Sequence, residues 1–204
     1  VAGAHLRLHP FDQPDVEAAK IAARKLTDEV EETGALPAEA PFYAEHGIEL
    51  FADPDEAAAL FLATDERSLR GLLAAHLDRA RPGDYVALCA FLAMNAENEA
   101  AMAELRNAVS RVTGVATTLG FGPRFLHSTG QAHKGGPATG LFLQFTDKPD
   151  ADLPIPDRRL TFGQVIAAQA RGDFEVLTIS GRRALRIHCA MGAEKGLKRL
   201  VGAL

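Results

Sequence analysis

The chain has 204 residues and a formal net charge of −5, and 47% of its residues are hydrophobic. This length suits one domain with an appendage or two small domains, and the apolar content is enough for a substantial core. The acidic balance offers no general attraction for nucleic acid or anionic membranes, so we predict neither partner, and a phosphorylated ligand would need a local basic pocket.

The sequence also indicates the compartment. No apolar run approaches the length of a membrane-spanning helix, and the first residues lack the pattern of a secretion signal. Cys89 and Cys189 lie in or at the end of apolar runs, without the spacing of a disulfide framework or a metal site. We therefore expect a cytoplasmic protein with reduced thiols and no cofactor, and the start at Val1 suggests a piece of a larger polypeptide.

The N-terminal residues predict a short strand followed by a helix. His5 to Leu8 alternate polar and apolar residues, which is typical of the end of a strand. Asp15 to about Glu32 repeat apolar residues at helical spacing. Asp12 is the expected N-cap of this helix, and Pro14 suits its first turn.

A stretch rich in Pro, Gly and Ala, Gly34 to Pro41, should end the helix and act as a linker. We divide the chain there into residues 1–34 as the end of one domain, residues 35–45 as the linker and residues 46–204 as a C-terminal α/β domain.

Strand and helix patterns alternate in the C-terminal domain. The stretch Asp173 to Ser180 fits both a strand pattern and a helix pattern, and we assign it to a helix. We predict a layered α/β fold with a central mixed, largely parallel sheet flanked by helices, preceded by an N-terminal helical segment. The predicted strands are Ile48–Phe51, Tyr85–Leu92, Val115–Leu119, Leu141–Thr146 and Ala184–His188. The predicted helices are Asp53–Phe61, a helix from Asp65 or Ser68 to Ala80, Asn95–Thr113, a helix from Thr161 through Ala170, and Ala193–Leu204.

The stretch Gly120 to Thr146 combines glycines with side chains that donate hydrogen bonds, and we interpret it as a long loop between two strands. Glycines let backbone N–H groups approach a ligand, so the loop is a candidate site for an oxyanion or a polyhydroxylated substrate. An ordinary surface turn with solvated charges is the alternative. The candidate ligand-binding residues are Arg124, His127, Ser128, Gln131, His133 and Lys134.

Two other readings of this loop are disfavoured. Lys134 is followed by Gly135, so the order of a P-loop is absent. The loop has no carboxylate or cysteine to complete a set of metal ligands, so we predict no metal. His127 and His133 are side chains that can act as acid or base near neutral pH.

A specific motif precedes the predicted helix. Residues Pro10 to Lys20 read Pro-Phe-Asp-Gln-Pro-Asp-Val-Glu-Ala-Ala-Lys. They resemble the C-terminal signature of glucose-6-phosphate isomerases, which is Phe-Asp-Gln, two variable residues, Val-Glu, two more, and Lys. The resemblance implies that Lys20 is a catalytic residue for ring opening of the sugar phosphate and that Gln13 helps to bind the substrate.

Three further segments resemble the extreme C-terminal region of bifunctional transaldolase/glucose-6-phosphate isomerases. They are Gly83–Ala87, Thr117–Gly140 and Leu160–Gly163. With the signature they are distributed from residue 10 to residue 163, and we take the resemblance to extend over nearly the whole chain. The resemblance assigns no role to the residues of the Gly120–Thr146 loop.

The resemblance implies an isomerase of glycolysis and gluconeogenesis fused to transaldolase of the pentose phosphate pathway. Its partners would be a sugar phosphate and the remaining isomerase and transaldolase domains, with a homo-oligomer as one expected assembly. The first sugar-isomerase domain, with the glutamate that moves the proton between C1 and C2, is missing, so we expect the chain to be inactive alone.

Two alternatives remain open, a non-catalytic interaction or regulatory domain and a sugar-phosphate-binding module. A ligand site predicts that Arg124, His127, His133 and Lys134 converge on one pocket. An assembly role predicts that they splay apart and that an apolar patch is exposed elsewhere.

Overall fold

A computed structural model describes residues 2–9, 11–149 and 151–204, so Pro10 of the predicted N-terminal turn and Asp150 lie outside the described residues. Within these ranges the chain forms eight α-helices and six strands. The helices are α1 (Ala2–Leu6), α2 (Pro14–Thr33), α3 (Pro54–Ala63), α4 (Leu69–Leu77), α5 (Ala96–Thr113), α6 (Ser128–Gly135), α7 (Phe162–Ile179) and α8 (Ala193–Ala203). The strands are β1 (Tyr43–Glu45), β2 (Ile48–Phe51), β3 (Tyr85–Phe91), β4 (Ala116–Phe121), β5 (Gly140–Asp147) and β6 (Arg183–Cys189).

The six strands form one sheet in the order β1-β2-β6-β5-β3-β4. The strands β3, β4, β5 and β6 are parallel, and β1 and β2 add an antiparallel edge. Because β4 and β5 lie on opposite sides of β3, the chain reverses its winding between β3 and β5. In open α/β sheets, the crevice at the carboxyl ends of the strands beside such a reversal is the usual ligand site.

Helices cover both faces of the sheet, and the alternation of side chains along the strands explains why. On β3, Val86 and Leu88 belong to a core shared with α4, α5 and α8, whereas Ala87 and Cys89 belong to a second core shared with α7. A strand buried on both sides reads as a continuous apolar run, as the sequence of β3 does. The predicted layered α/β fold, with its largely parallel sheet and N-terminal helical segment, is confirmed.

Side-chain caps set the beginnings of several helices. The side chains of Asp53, Ser68 and Asn95 accept hydrogen bonds from the first turns of α3, α4 and α5. Thr161 and Gln164 form a reciprocal capping box at the start of α7. This helix runs unbroken through residues 173–179, so the assignment of that ambiguous stretch to a helix is also confirmed.

The N-terminal helix α2 packs against α7 of the α/β fold. Val16, Ala19 and Val30 are buried along α2. The closest approach is at Gly172 of α7, where an added Cβ would lie 2.7 Å from the backbone nitrogen of Ala23. Residues 35–41 then lead to β1 and have neither helix nor strand. They lie within the predicted linker, residues 35–45. The proposed division into residues 1–34, 35–45 and 46–204 stays a prediction.

Three local predictions are wrong. The N-cap of α2 is Gln13 and not Asp12, because the residue before Pro14 is disfavoured in the helical conformation. The expected strand at His5–Leu8 is replaced by the end of α1 and a turn, because a four-residue alternation carries little information without a neighbouring strand. The expected loop between β4 and β5 contains a 3₁₀ turn at Arg124–Leu126 and the helix α6. Its two glycines lower the helix propensity of α6, and contacts with α2 and α7 compensate.

Candidate functional site

Gln13 and Lys20 lie two turns apart at the start of α2. Gln13 is the N-cap residue, and its carbonyl oxygen accepts hydrogen bonds from the N–H groups of Val16 and Glu17. The Lys20 side chain is 47% exposed, and its Nζ lies 2.6 Å from Oε1 of Glu17. The exposed lysine is therefore within reach of a ligand, whereas Val16 anchors the same helix in the core.

Gln131 of α6 holds the beginning of α2. Its Oε1 accepts hydrogen bonds from the backbone N–H groups of Asp15 (3.1 Å) and Val16 (3.3 Å), and its Nε2 donates to Asp15 Oδ2 at 2.5 Å. The side chain thus satisfies N–H groups that a helix leaves unpaired at its first turn. Gln131, predicted to bind substrate, contacts the helix that carries Lys20 and Gln13.

A surface depression of about 380 Å³ lies beside Lys20. Its charged lining consists of Lys20, Arg24, Arg158 and Asp28, which are three cations and one carboxylate. The lining therefore has an excess of positive charge in a chain with a net charge of −5, although Lys20 and Arg158 also pair with Glu17 and Glu31 outside it. A phosphorylated ligand requires such an excess, which the sequence predicts in the loop after β4 instead.

Lys134 points into the interior. It is 2% exposed and forms an ion pair with Asp173 of α7, which is also 2% exposed. Gln144 of β5 completes the cluster, since its Nε2 donates to Asp173 Oδ2 at 3.3 Å and to the carbonyl of Ala170 at 3.0 Å. Burial raises the pKa of the Asp173 carboxyl, and the Lys134 ammonium and the Gln144 amide oppose that rise.

His133 is also buried. Its ring lies 5.9 Å from the ring of Tyr85 and 5.2 Å from the ring of Phe142, measured between centroids. Burial, with a smaller contribution from the Lys134 ammonium, lowers the pKa of His133 to about 4. At neutral pH this imidazole is therefore an uncharged packing group.

The remaining predicted residues of this segment are on the surface. Arg124, His127 and Ser128 are exposed, while His133 and Lys134 face the core. The four side chains expected to converge in a ligand site therefore splay to opposite sides of the segment. Arg182 fixes the end of α6 by donating to the carbonyl oxygens of Lys134 and Gly136.

Sequence reasoning missed a larger cleft of about 790 Å³ at the carboxyl ends of β3, β5 and β6. The residues Phe91, Thr146 and His188 near the ends of these strands border it, and the first half of α7 covers one side. His188 Nδ1 lies 2.9 Å from Thr146 Oγ1, and burial lowers the pKa of His188. The polar residues near the carboxyl ends of predicted parallel strands were the signal that could have located this cleft.

Two arginines meet one carboxylate at the side of this cleft. Glu39 Oε2 lies 2.6 Å from a terminal nitrogen of Arg186 and 3.0 Å from Nε of Arg171. The Arg186 guanidinium carbon is 4.2 Å from the ring centroid of Phe51 and 5.3 Å from that of Phe174, which fixes its orientation. Glu39 comes from the linker, so neither sequence spacing nor a motif joins these residues.

Among the described residues, no group of three or more His, Cys, Asp or Glu side chains could hold a metal ion. No helix in that part of the chain is long and apolar enough to cross a membrane.

Comparison with known proteins supports the fold. No protein-family model matches the chain, and no curated protein matches it significantly. A crystal structure of a hypothetical protein from Thermus thermophilus is similar, with a TM-score of 0.57 and 18% sequence identity over 73% of this chain. The match covers 40% of that protein's length. At this identity the similarity concerns the fold alone.

Proposed function

We propose that the chain is the C-terminal portion of a glucose-6-phosphate isomerase within a bifunctional transaldolase/isomerase. The observation that carries the proposal is the basic depression beside Lys20, on the helix that contains the isomerase signature. Gln13 and Lys20, the two residues to which the signature assigns roles, are both at least partly exposed. A cytoplasmic sugar-phosphate enzyme fits these features.

In this proposal Lys20 assists the opening of the sugar ring. The C1 hydroxyl gives its proton to a base from the missing isomerase domain, the bond between C1 and the ring oxygen breaks, and the Lys20 ammonium gives a proton to that oxygen. The carboxylate of Glu17, 2.6 Å from Nζ, holds the ammonium group in place beside the depression. Arg24 provides positive charge for the phosphate, and Arg158 adds to it when the phosphate replaces Glu31, its partner in the free chain.

The isomerisation itself requires residues from elsewhere in the parent enzyme. The proton moves between C1 and C2 through an enediol, and the base for this transfer belongs to the missing sugar-isomerase domain. We therefore expect this chain alone to leave glucose 6-phosphate unchanged.

The test joins this chain to the transaldolase and isomerase domains of a bifunctional enzyme, in place of that enzyme's own C-terminal region. Conversion of fructose 6-phosphate to glucose 6-phosphate is then measured for Lys20→Ala and for Lys25→Ala, a matched exposed lysine of α2. Loss of a proton donor should lower kcat by about 100-fold or more in Lys20→Ala. Equal activity of the two variants would refute the proposed role.

A second candidate is a non-catalytic domain that joins transaldolase and isomerase units, and exposed apolar side chains of the N-terminal segment favour it. Phe11 is 85% exposed, near the exposed Leu6 and Leu8 in sequence, and Ile21 of α2 is 66% exposed. Exposed apolar residues that form a contiguous patch are typical of protein contacts. If this reading is correct, Ile21→Glu lowers the oligomeric state in analytical ultracentrifugation and Lys20→Ala keeps full activity.

A further inference from the structure

The arginine pair beside the large cleft is a preformed anion site. Arg186 is 4% exposed and lies between two aromatic rings, and Arg171 is tied by a 2.7 Å hydrogen bond to the carbonyl of Pro37. Both guanidinium groups are therefore held in place by contacts that do not involve an anion. Guanidinium groups fixed in this way suit phosphate and carboxylate.

The occupant of this site is a tethered carboxylate. Both arginines contact the same oxygen of Glu39, and the Glu39 side chain is 38% exposed although Arg186 is buried. Glu39 belongs to the linker, which here has neither helix nor strand. One monoanionic group thus serves two cations, and a dianionic phosphate has more charge and more acceptor oxygens to offer them.

The rest of the cleft limits the kind of ligand. Six carboxylates and three cationic side chains, Arg171, Arg186 and Lys148, border it, so an anionic group is favoured beside these cations and disfavoured in the rest of the cleft. Elsewhere the carboxylates, Asn98, Thr146 and His188 are suited to hydrogen bonds with hydroxyl groups. Phe91 and Phe162 provide apolar surface for the face of a sugar ring.

We propose that this cleft binds a phosphorylated, polyhydroxylated small molecule whose phosphate replaces Glu39 at Arg171 and Arg186. The linker carboxylate then acts as an internal competitor that holds the site closed in the absence of ligand. The cleft also lies at the carboxyl-end switch point of the sheet, where ligands of such folds bind.

This site is separate from the one at Lys20. The basic depression beside Lys20 and the cleft share no lining residue. Val165 and Gln169 of α7 line the depression, whereas Ile166 and Ala170, each one residue further along the helix, line the cleft, so the two sites lie on different sides of α7. The inference therefore does not depend on the proposed isomerase function.

The experiment is calorimetric titration of the whole 204-residue chain with fructose 6-phosphate and, as the uncharged match, fructose. The Glu39→Gln variant should bind fructose 6-phosphate at least about tenfold more tightly than the unmodified chain, because its amide competes less well for the arginines. Adding Arg171→Gln to this variant should weaken binding by about tenfold or more. Fructose should bind no variant measurably.

Control variants test whether the gain in affinity is specific to Glu39 and whether the ligand binds in the cleft. Glu97→Gln removes the same charge at another part of the cleft, so an equal gain in affinity there would reduce the effect to general electrostatics and overturn the proposal. Lys25→Ala, at an exposed lysine of α2 that borders neither the cleft nor the basic depression, should leave the affinity unchanged. Loss of binding in Lys20→Ala would place the ligand in the basic depression, which overturns the cleft proposal and supports the proposed isomerase site.

A second measurement covers the case in which Glu39→Gln does not fold. In the unmodified chain, saturating fructose 6-phosphate should release Glu39 and speed proteolysis within residues 38–41, after the Pro37 carbonyl that Arg171 holds. No change in cleavage at saturation would rule out displacement of Glu39.

Discussion

Lys134 and Lys20 show how burial separates two lysines of one chain. Lys20 is half exposed and pairs with a neighbour on its own helix, whereas Lys134 is buried with Asp173 from a distant helix. A buried ion pair is costly to break because the remaining charge has no partner and no water. Lys20 is therefore available for chemistry, and Lys134 has a structural role.

We predict that Lys134→Met lowers the free energy of unfolding by about 3 to 5 kcal/mol, because Asp173 is left as an unpaired buried carboxyl. Urea denaturation measures this change. The double variant Lys134→Met/Asp173→Leu should recover most of the loss, and Lys198→Met, at an exposed pair with Glu194, should change stability by less than about 1 kcal/mol. Full stability of Lys134→Met would contradict the structural role.

His133 contributes to the loss of stability in acid. The pKa of His133 in the folded chain is lowered from 6.5 to about 4, so between these pH values the unfolded state binds a proton that the folded state does not bind. Protonation of His133 therefore has no effect on the free energy of unfolding above pH 6.5, and it lowers this free energy as the pH falls from 6.5 towards 4. His76, which is fully buried and has a lowered pKa, acts in the same direction.

We expect His133→Phe to flatten the loss of stability between pH 6.5 and 4, because a ring that cannot be protonated replaces the imidazole between Tyr85 and Phe142. Denaturant melts at a series of pH values provide the test. His127→Phe, at an exposed position, should leave the slope as it is. If both variants gave the same slope as the unmodified chain, His133 would not control it.

At the scale of elements, the packing of α2 on α7 decides where the signature residues lie. Gly172 allows the two helices to approach, since a Cβ there would be 2.7 Å from Ala23 N and 3.0 Å from Ala19 O. Gln131 fixes the start of α2 from a third helix. Lys20 is thus positioned by contacts with α7 and α6.

Gly172→Ala should destabilise the chain by about 1 to 3 kcal/mol, although alanine favours a helix by about 1 kcal/mol over glycine. The added methyl group meets backbone atoms of α2, which can move only if the helices separate. Thermal unfolding measures the effect. Gly202→Ala in α8, where a Cβ has open space, should be neutral or stabilising. A stable Gly172→Ala variant would mean that this contact is loose.

At the scale of the whole molecule, the predicted domain division and the packing of α2 disagree on whether residues 46–204 fold stably without α2. A division at the linker implies that residues 46–204 form a folding unit without α2. The buried side chains of Val16, Ala19 and Val30 lie on α2, outside that unit. Removing α2 would expose the apolar surface of α7 that they cover.

A shortened chain of residues 42–204 tests this point. We predict that it unfolds at a lower urea concentration than the whole chain and binds a fluorescent probe of apolar surface, because α7 loses its cover. Equal midpoints for the two chains would instead support an independent domain after the linker.

Features of this molecule that depend on local sequence could be predicted, and features that depend on distant contacts could not. The helix starts at Asp53, Asn95 and Thr161 follow from capping residues, and the buried strand β3 follows from its apolar run. The helix α6 was missed because contacts with α2 and α7 support it.

The candidate site divides in the same way. The signature identified Gln13 and Lys20, and the structure leaves both at least partly exposed. The inward direction of Lys134 depends on Asp173, which is 39 residues away in the chain and is brought close only by the fold. The contact of Glu39 with Arg171 and Arg186 likewise depends on the fold, which brings the linker beside α7 and β6.

The position of Glu39 on the linker has a consequence for the concentrations to which the proposed cleft can respond. A carboxylate attached by a short segment competes at a local concentration on the order of millimolar, whatever the amount of free acid in solution. The length of the linker would then set the ligand concentration at which the cleft is half occupied, without any change to the arginines. A longer or more flexible linker would make the same cleft respond to scarcer ligand.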